Sequence, residues 1–146
     1  MSLITGLLVM FVTFWVMEFV AWATHKYVMH GFLWSLHKDH HQVDKTRIFE
    51  NNDAFFLIFA IPGSTLIVFG SPLFFYIGFG ITLYGIAYFI IHEIFIHQRI
   101  KLFRNTKSNY LKAIRRAHKI HHKNLNKKDG TCFGMLIVPL KYLKLS

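Results

Sequence analysis

From Leu3 to Ala23 the chain runs for 21 residues with a single charged side chain, Glu18. At about 1.5 Å per residue that is roughly 31 Å of helix, the thickness of a bilayer's hydrocarbon core. The run is too long for the apolar core of a signal peptide, and neither a basic start nor a small-residue cleavage site frames it. A retained transmembrane helix is expected. Apolar blocks recur at Ala54 to Phe69 and at Leu73 to Ile91, separated by the turn signal Gly70-Ser71-Pro72. The two read as a helical hairpin across the membrane. Its first arm is short, about 24 Å, and Pro62 is a potential kink. The segment Thr131 to Leu145 is apolar but broken by Pro139, Lys141 and Lys144, so an interfacial or re-entrant piece is expected there. The expected fold is an all-α, integral membrane helical protein with three to four transmembrane helices, forming one domain over residues 1–146.

Charge gives this arrangement a direction. The formal net charge is +10, and all 17 Lys and Arg fall within residues 26–47, 99–128 and 141–144. None precedes the first span or lies in the 70–72 turn. With three crossings the three basic stretches share one side, and the positive-inside rule makes that side cytoplasmic. A multi-pass protein of the cell inner membrane is expected, its basic residues meeting membrane lipids. The chain carries no recognised nucleic-acid-binding motif, and its hydrophobic blocks argue for membrane over nucleic acid. Cys132, the single cysteine, excludes an intrachain disulfide and reads as a small apolar residue.

Histidine is the anomaly of the composition, with ten in 146 residues. All ten lie at or beyond the cytoplasmic ends of the expected helices, in four clusters. His25 and His30 form an HxxxxH box, and His37, His40 and His41 an HxxHH box. His92 with His97 repeats the first pattern; His118, His121 and His122 repeat the second. Each half of the chain thus reads as a span end, then HxxxxH, then HxxHH. On an α-helix HxxHH covers a face about 100° wide and can converge on one metal, whereas an HxxxxH pair stands about 140° apart. The latter reaches two metals, or one if the helix frays. Imidazole suits iron, zinc, copper and nickel, and ten imidazoles are enough for two ions. A helical, histidine-rich cytoplasmic cap over the spans follows.

An all-histidine site brings no negative charge. Carboxylates behind the ligands are expected to offset the metals and fix the imidazole tautomers, with Glu18, Asp39, Asp53 and Glu93 as candidates. Glu18 reads equally as a helix–helix hydrogen bond. Phe11, Phe14, Phe79 and Tyr88 are candidates for lining a substrate pocket, although ordinary packing explains each.

At these boxes the sequence resembles the beta-carotene 3-hydroxylase family, within the fatty-acid-hydroxylase superfamily of membrane non-haem di-iron enzymes. The resembling stretches are HKYVMHGFLWSLHKDHH at 25–41, ENNDAFFLIFAIPG at 50–63, HEIFIHQR at 92–99, RRAHKIHHK at 115–123 and GTCFGMLIVP at 130–139. The resemblance implies a di-iron monooxygenase using O2 as co-substrate and a reduced ferredoxin-type electron donor. It implies hydroxylation at C3 of β-ionone rings, from β-carotene to β-cryptoxanthin to zeaxanthin, with a lipid-soluble carotenoid as substrate. All ten histidines match the family's ligand positions, and zinc is able to replace iron during purification. Two competitors remain open. One is a fatty-acid or sterol hydroxylase or desaturase of the same superfamily. The other is a non-enzymatic membrane metal-binding or transport protein.

Overall fold

The computed structural model describes residues 1–42, 49–103, 105–124, 127–128 and 130–144. Lys45, Arg47 and Arg104 of the basic stretches lie outside the described residues. Among the described residues there is no strand. Helix α1 spans Leu3–Ala23, α2 Trp34–His41, α3 Ala54–Phe69, α4 Pro72–Tyr88 and α5 Asn109–Lys123. Ser2 caps α1 by accepting a bond from the Thr5 amide at 3.2 Å. Gly70 ends α3 in an extended conformation, and Pro72 opens α4 at the helix position where its missing N–H costs nothing. The helix α3 continues through Pro62.

Three helical runs among the described residues are long and apolar enough to cross a bilayer: Leu3–Phe32, Asn51–Phe69 and Pro72–Ile96. Their outward faces remain apolar, with Phe11, Trp15 and Phe19 on α1, Phe56 and Ile61 on α3, and Phe74 and Ile86 on α4 all exposed. In water such surface would be a liability; in a bilayer it is the expected face. Helix α4 packs between α1 and α3. Two glycines permit this, because residues 78 and 80 point about 200° apart on a helix. A Cβ on Gly78 would stand 2.7 Å from the Gly63 carbonyl oxygen of α3, and one on Gly80 would stand 2.7 Å from the Met10 carbonyl of α1. Small residues at such crossings let helices approach where no hydrophobic effect drives them together.

The first and third spans outrun α-helical geometry. Both continue as π-helix, over Thr24–Phe32 and Phe89–Ile96. The chain then bends at Gly31 into α2. At the other span end it closes at Gln98, whose φ of 56° lies in the left-handed region. Helix α5 buries Ala113, Ile114, Ala117, His118 and His121 on one face and exposes Lys112, Lys119 and Lys123 on the other. Helices α2 and α5 thus bring the two HxxHH boxes to the ends of the spans that carry the HxxxxH boxes.

The carboxyl-terminal segment forms no fourth helical span. Among its described residues only Leu140–Tyr142 are helical, as one short 3-10 turn. The stretch before it turns inward and buries Met135 and Leu136 against Met17 and Tyr84. Irregular backbone at membrane depth needs protein partners for its amides. Glu18 supplies them: its Oε1 accepts from the amides of Met135, Leu136 and Ile137 at 3.0, 2.8 and 3.0 Å. Its Oε2 accepts from the Tyr84 hydroxyl at 2.7 Å.

Candidate metal centre

Eight of the ten histidines are buried; His97 and His122 are partly so. They gather into two groups able to hold a metal ion among the described residues. The first is His25, His30, His37, His41 and His121, and the second His40, His92, His97 and His118; within each, the offered nitrogens all lie within 4.8 Å of one another.

The π turns explain how an HxxxxH pair shares one group. Bonding from i to i+5 stacks residues five apart, where an α-helix would splay them. The rings of His25 and His30 are 5.3 Å apart and those of His92 and His97 4.6 Å. The sequence expectation of fraying or of reaching two metals is therefore replaced by a widened helix. The HxxHH boxes behave oppositely. Their faces lie between the two groups and divide: His37 and His41 face the first group and His40 the second, while His121 faces the first and His118 the second. The expectation that each HxxHH converges on one centre is corrected accordingly. His122 belongs to neither tight set, but its ring lies 4.5 Å from His118, 4.8 Å from His97 and His40, and 4.4 Å from His41. By the internal repeat it is the second group's counterpart of His41.

Hydrogen bonds set the tautomers. Nδ1–H of His25 donates to the Phe133 carbonyl at 3.0 Å, that of His30 to Lys127 at 3.2 Å, that of His41 to Asn124 at 3.0 Å and that of His121 to Thr131 at 2.7 Å. His37 donates to Asn52 Oδ1 at 2.7 Å, His40 to Glu50 Oε2 at 2.7 Å and His92 to Glu93 Oε1 at 2.5 Å. These oxygens can only accept, so seven imidazoles carry their proton on Nδ1 and turn a bare Nε2 lone pair inward.

In the first group the facing Nε2 atoms stand 3.1–3.2 Å apart, from His25 to His37, His30 to His41, His30 to His121 and His41 to His37. In the second, His97 and His118 are 2.9 Å apart. Two nitrogens bound to one ion at about 2.1 Å and at right angles stand about 3 Å apart. Nε2 of His40 and of His122 are buried with no hydrogen-bond partner among the described residues. Donor type, spacing and orphaned lone pairs all fit a pair of metal ions.

Electrostatics favours the ligating form. Burial holds the His41 imidazole down to about 4, His97 and His121 to about 3 and His37 to about 2, against an ordinary 6.5. Burial and then the crowded neighbouring imidazoles push His40, His118 and His122 down as well. Neutral imidazole is the metal-binding state.

The sequence model of the fatty acid hydroxylase family matches residues 10–142. A beta-carotene hydroxylase of Pantoea ananas is 40% identical over 90% of this chain and 77% of its own length. One from Paracoccus sp. (strain N81106 / MBIC 01143) is 32% identical over 92% of this chain and 85% of its own. One from Pseudescherichia vulneris is 38% identical over 82% and 69%. The chain belongs to the fatty acid hydroxylase family, among the beta-carotene hydroxylases. No solved structure matches it significantly.

Within this hydroxylase the four carboxylates singled out from sequence have different places. Glu93 holds His92 directly. Asp53 reaches the site through Arg99, which it meets at 2.9 Å. Asp39 accepts from the Asn51 amide at 2.6 Å and so seats the segment bearing Glu50 and Asn52. The bonds of Glu18 run to Tyr84 and the carboxyl-terminal backbone, so its helix–helix alternative describes it better. Glu50, Asn52 and Arg99 are the site residues that the sequence reading leaves out. Glu50 and Asn52 lie in the polar run just before α3, but no spacing rule ties them to α2. Of the pocket candidates, Phe11 and Phe14 line a groove of about 280 Å³ with Met10, Trp15 and Leu83, and Tyr88 lies 4.6 Å from the His92 ring. Phe79 is exposed and packs against Phe75, with the rings tilted by 52° and their centroids 4.8 Å apart.

Proposed function

We propose that this protein is a membrane di-iron monooxygenase that hydroxylates the β-ionone rings of carotenoids at C3, taking β-carotene through β-cryptoxanthin to zeaxanthin. The observation that carries the chemistry is the set of seven imidazoles locked as Nδ1–H tautomers with their Nε2 atoms converging in two groups. The relatives named beta-carotene hydroxylases carry the choice of substrate. The ligands of one ion are His25, His30, His37, His41 and His121; those of the other are His40, His92, His97, His118 and His122. Iron bound there supplies O2 activation and transfer of one oxygen atom into a C–H bond, with electrons from a reduced ferredoxin-type protein.

The chain's own part is placement. The backbone carbonyls, Asn52, Glu50 and Glu93 keep each Nε2 aimed inward. The spans below the site, with apolar faces from end to end, hold a rigid polyene in the bilayer so that one ring rises to the histidines. Phe133, whose ring lies 5.2–5.4 Å from those of His25, His30 and His121, covers the first group and helps exclude water. The exposed Lys112, Lys119 and Lys123 of α5 offer a basic surface for an acidic donor. Added salt should slow turnover driven by the protein donor, and salt-indifferent turnover would remove this docking role.

The charge partition supports a cytoplasmic site in the inner membrane. A metal-transport reading predicts ligands along a path near the bilayer midplane; here they gather at the span ends. Expression in cells that accumulate β-carotene tests the function. Zeaxanthin by chromatography is expected, and its loss on His40→Ala with the protein still in the membrane. Unchanged β-carotene with wild-type protein present would overturn the carotenoid assignment.

A further inference from the structure

The two histidine groups differ in what stands behind them. In the first group all five Nδ1–H donors end on neutral oxygens: the carbonyls of Phe133, Lys127, Asn124 and Thr131, and the Asn52 amide. In the second, His40 ends on the carboxylate of Glu50 and His92 on that of Glu93. One guanidinium gathers these carboxylates. Arg99 Nη2 lies 2.9 Å from Glu50 Oε2, its Nε 3.0 Å from Glu93 Oε2, and its Nη1 2.9 Å from Asp53 Oδ1. The left-handed turn at Gln98 brings Arg99 back over the π segment, where its amide donates to the Glu93 carbonyl at 3.0 Å. Three carboxylates against one guanidinium leave this surround anionic.

We propose that Arg99 is a positioning residue for one ion only. By clamping Glu50 and Glu93 against His40 and His92 it makes the second group the tighter and more electron-rich of two inequivalent metal sites. The physical reason is that an imidazole bonded to a carboxylate is a stronger donor than one bonded to a neutral carbonyl. An anionic surround also favours the more highly charged state of the ion it encloses. A lysine could replace the charge of Arg99 but not its three-way planar fork. The inference rests on the two-ion reading above.

The test is stepwise removal of ferrous iron from the anaerobically loaded, detergent-solubilised protein by a competing chelator, with metal counted per chain. The wild type should release iron in two steps. Arg99→Gln should weaken the tighter step by about 10–100-fold and leave the other unchanged, and Arg99→Lys should restore it in part. Identity of the affected ion comes from backgrounds with one group disabled. In His30→Ala, which retains the second group, adding Arg99→Gln should weaken the remaining ion by the same factor. In His97→Ala, which retains the first, it should change nothing. If Arg99→Gln does not fold, Glu50→Gln and Glu93→Gln in the His30→Ala background give the same readout. Equal weakening of both ions, or of neither, would overturn the proposal while leaving the two-ion reading intact. Fewer than two ions in the loaded wild type would overturn that reading and this proposal with it.

Discussion

His37, His41, His97 and His121 take up a proton less readily in the fold than in the unfolded chain, where the ordinary value is 6.5. The metal-free fold therefore binds fewer protons than the unfolded chain. Its stability is fully present above 6.5 and is lost as pH falls toward the folded values of about 2 to 4. Thermal unfolding of the metal-free protein in detergent should show a midpoint that falls steadily between about pH 7 and about pH 4. A midpoint flat across that window would mean that the imidazoles are not held neutral by burial. At this scale the sequence is explicit about the proposed ligands, because ten histidines in two repeated spacings have few other uses. It is silent on most of what holds them. Four of the seven tautomer-fixing acceptors are backbone carbonyls, which carry no residue identity, and Asn52 and Glu50 lie 15 and 10 residues from the histidines they hold.

The structural elements that make the site work are the least regular ones. A straight α-helix read from HxxxxH separates its two histidines, and the π turns at Thr24–Phe32 and Phe89–Ile96 reunite them. No local residue pattern announces a π turn, which is rare and is found mostly at functional sites. The carboxyl-terminal strap is a second case. Its broken apolar pattern excludes a firm span, but only the fold shows that Glu18 accepts three of its amides. Glu18→Ala would leave those amides and the Tyr84 hydroxyl buried without their acceptor, each at a cost of about 1–3 kcal/mol. The strap should then detach, taking with it the Phe133 carbonyl that orients His25. Limited proteolysis and thermal unfolding are expected to show early cleavage near residues 133–137 and a markedly lower midpoint. Wild-type cleavage and stability in Glu18→Ala would contradict this role.

Across the whole molecule, the three apolar spans are legible in number and position because membrane helices announce themselves by length and hydropathy, but the first and third run on to Phe32 and Ile96, past the ends expected at Ala23 and Ile91. The partition of charges and histidines to one side is likewise readable and gives the orientation proposed above. In a Cys132→Ser background, an impermeant thiol reagent applied to intact cells should label a cysteine placed at Ser71 and spare one placed at Lys119. The reverse pattern would invert the topology. What the sequence leaves open is how the histidines divide between the two groups, because each HxxHH box contributes to both and interlocks the two halves of the repeat. The central claim is that this interlocked histidine centre inserts oxygen from O2 into a carotenoid ring. It is tested most directly with the purified, iron-loaded protein, a reduced ferredoxin-type donor, β-carotene and isotopically heavy dioxygen. Mass spectrometry should find one heavy oxygen in each new hydroxyl group, and none of the product when iron is removed. Hydroxylated product carrying oxygen from water, or no product from the iron-loaded protein, would contradict it.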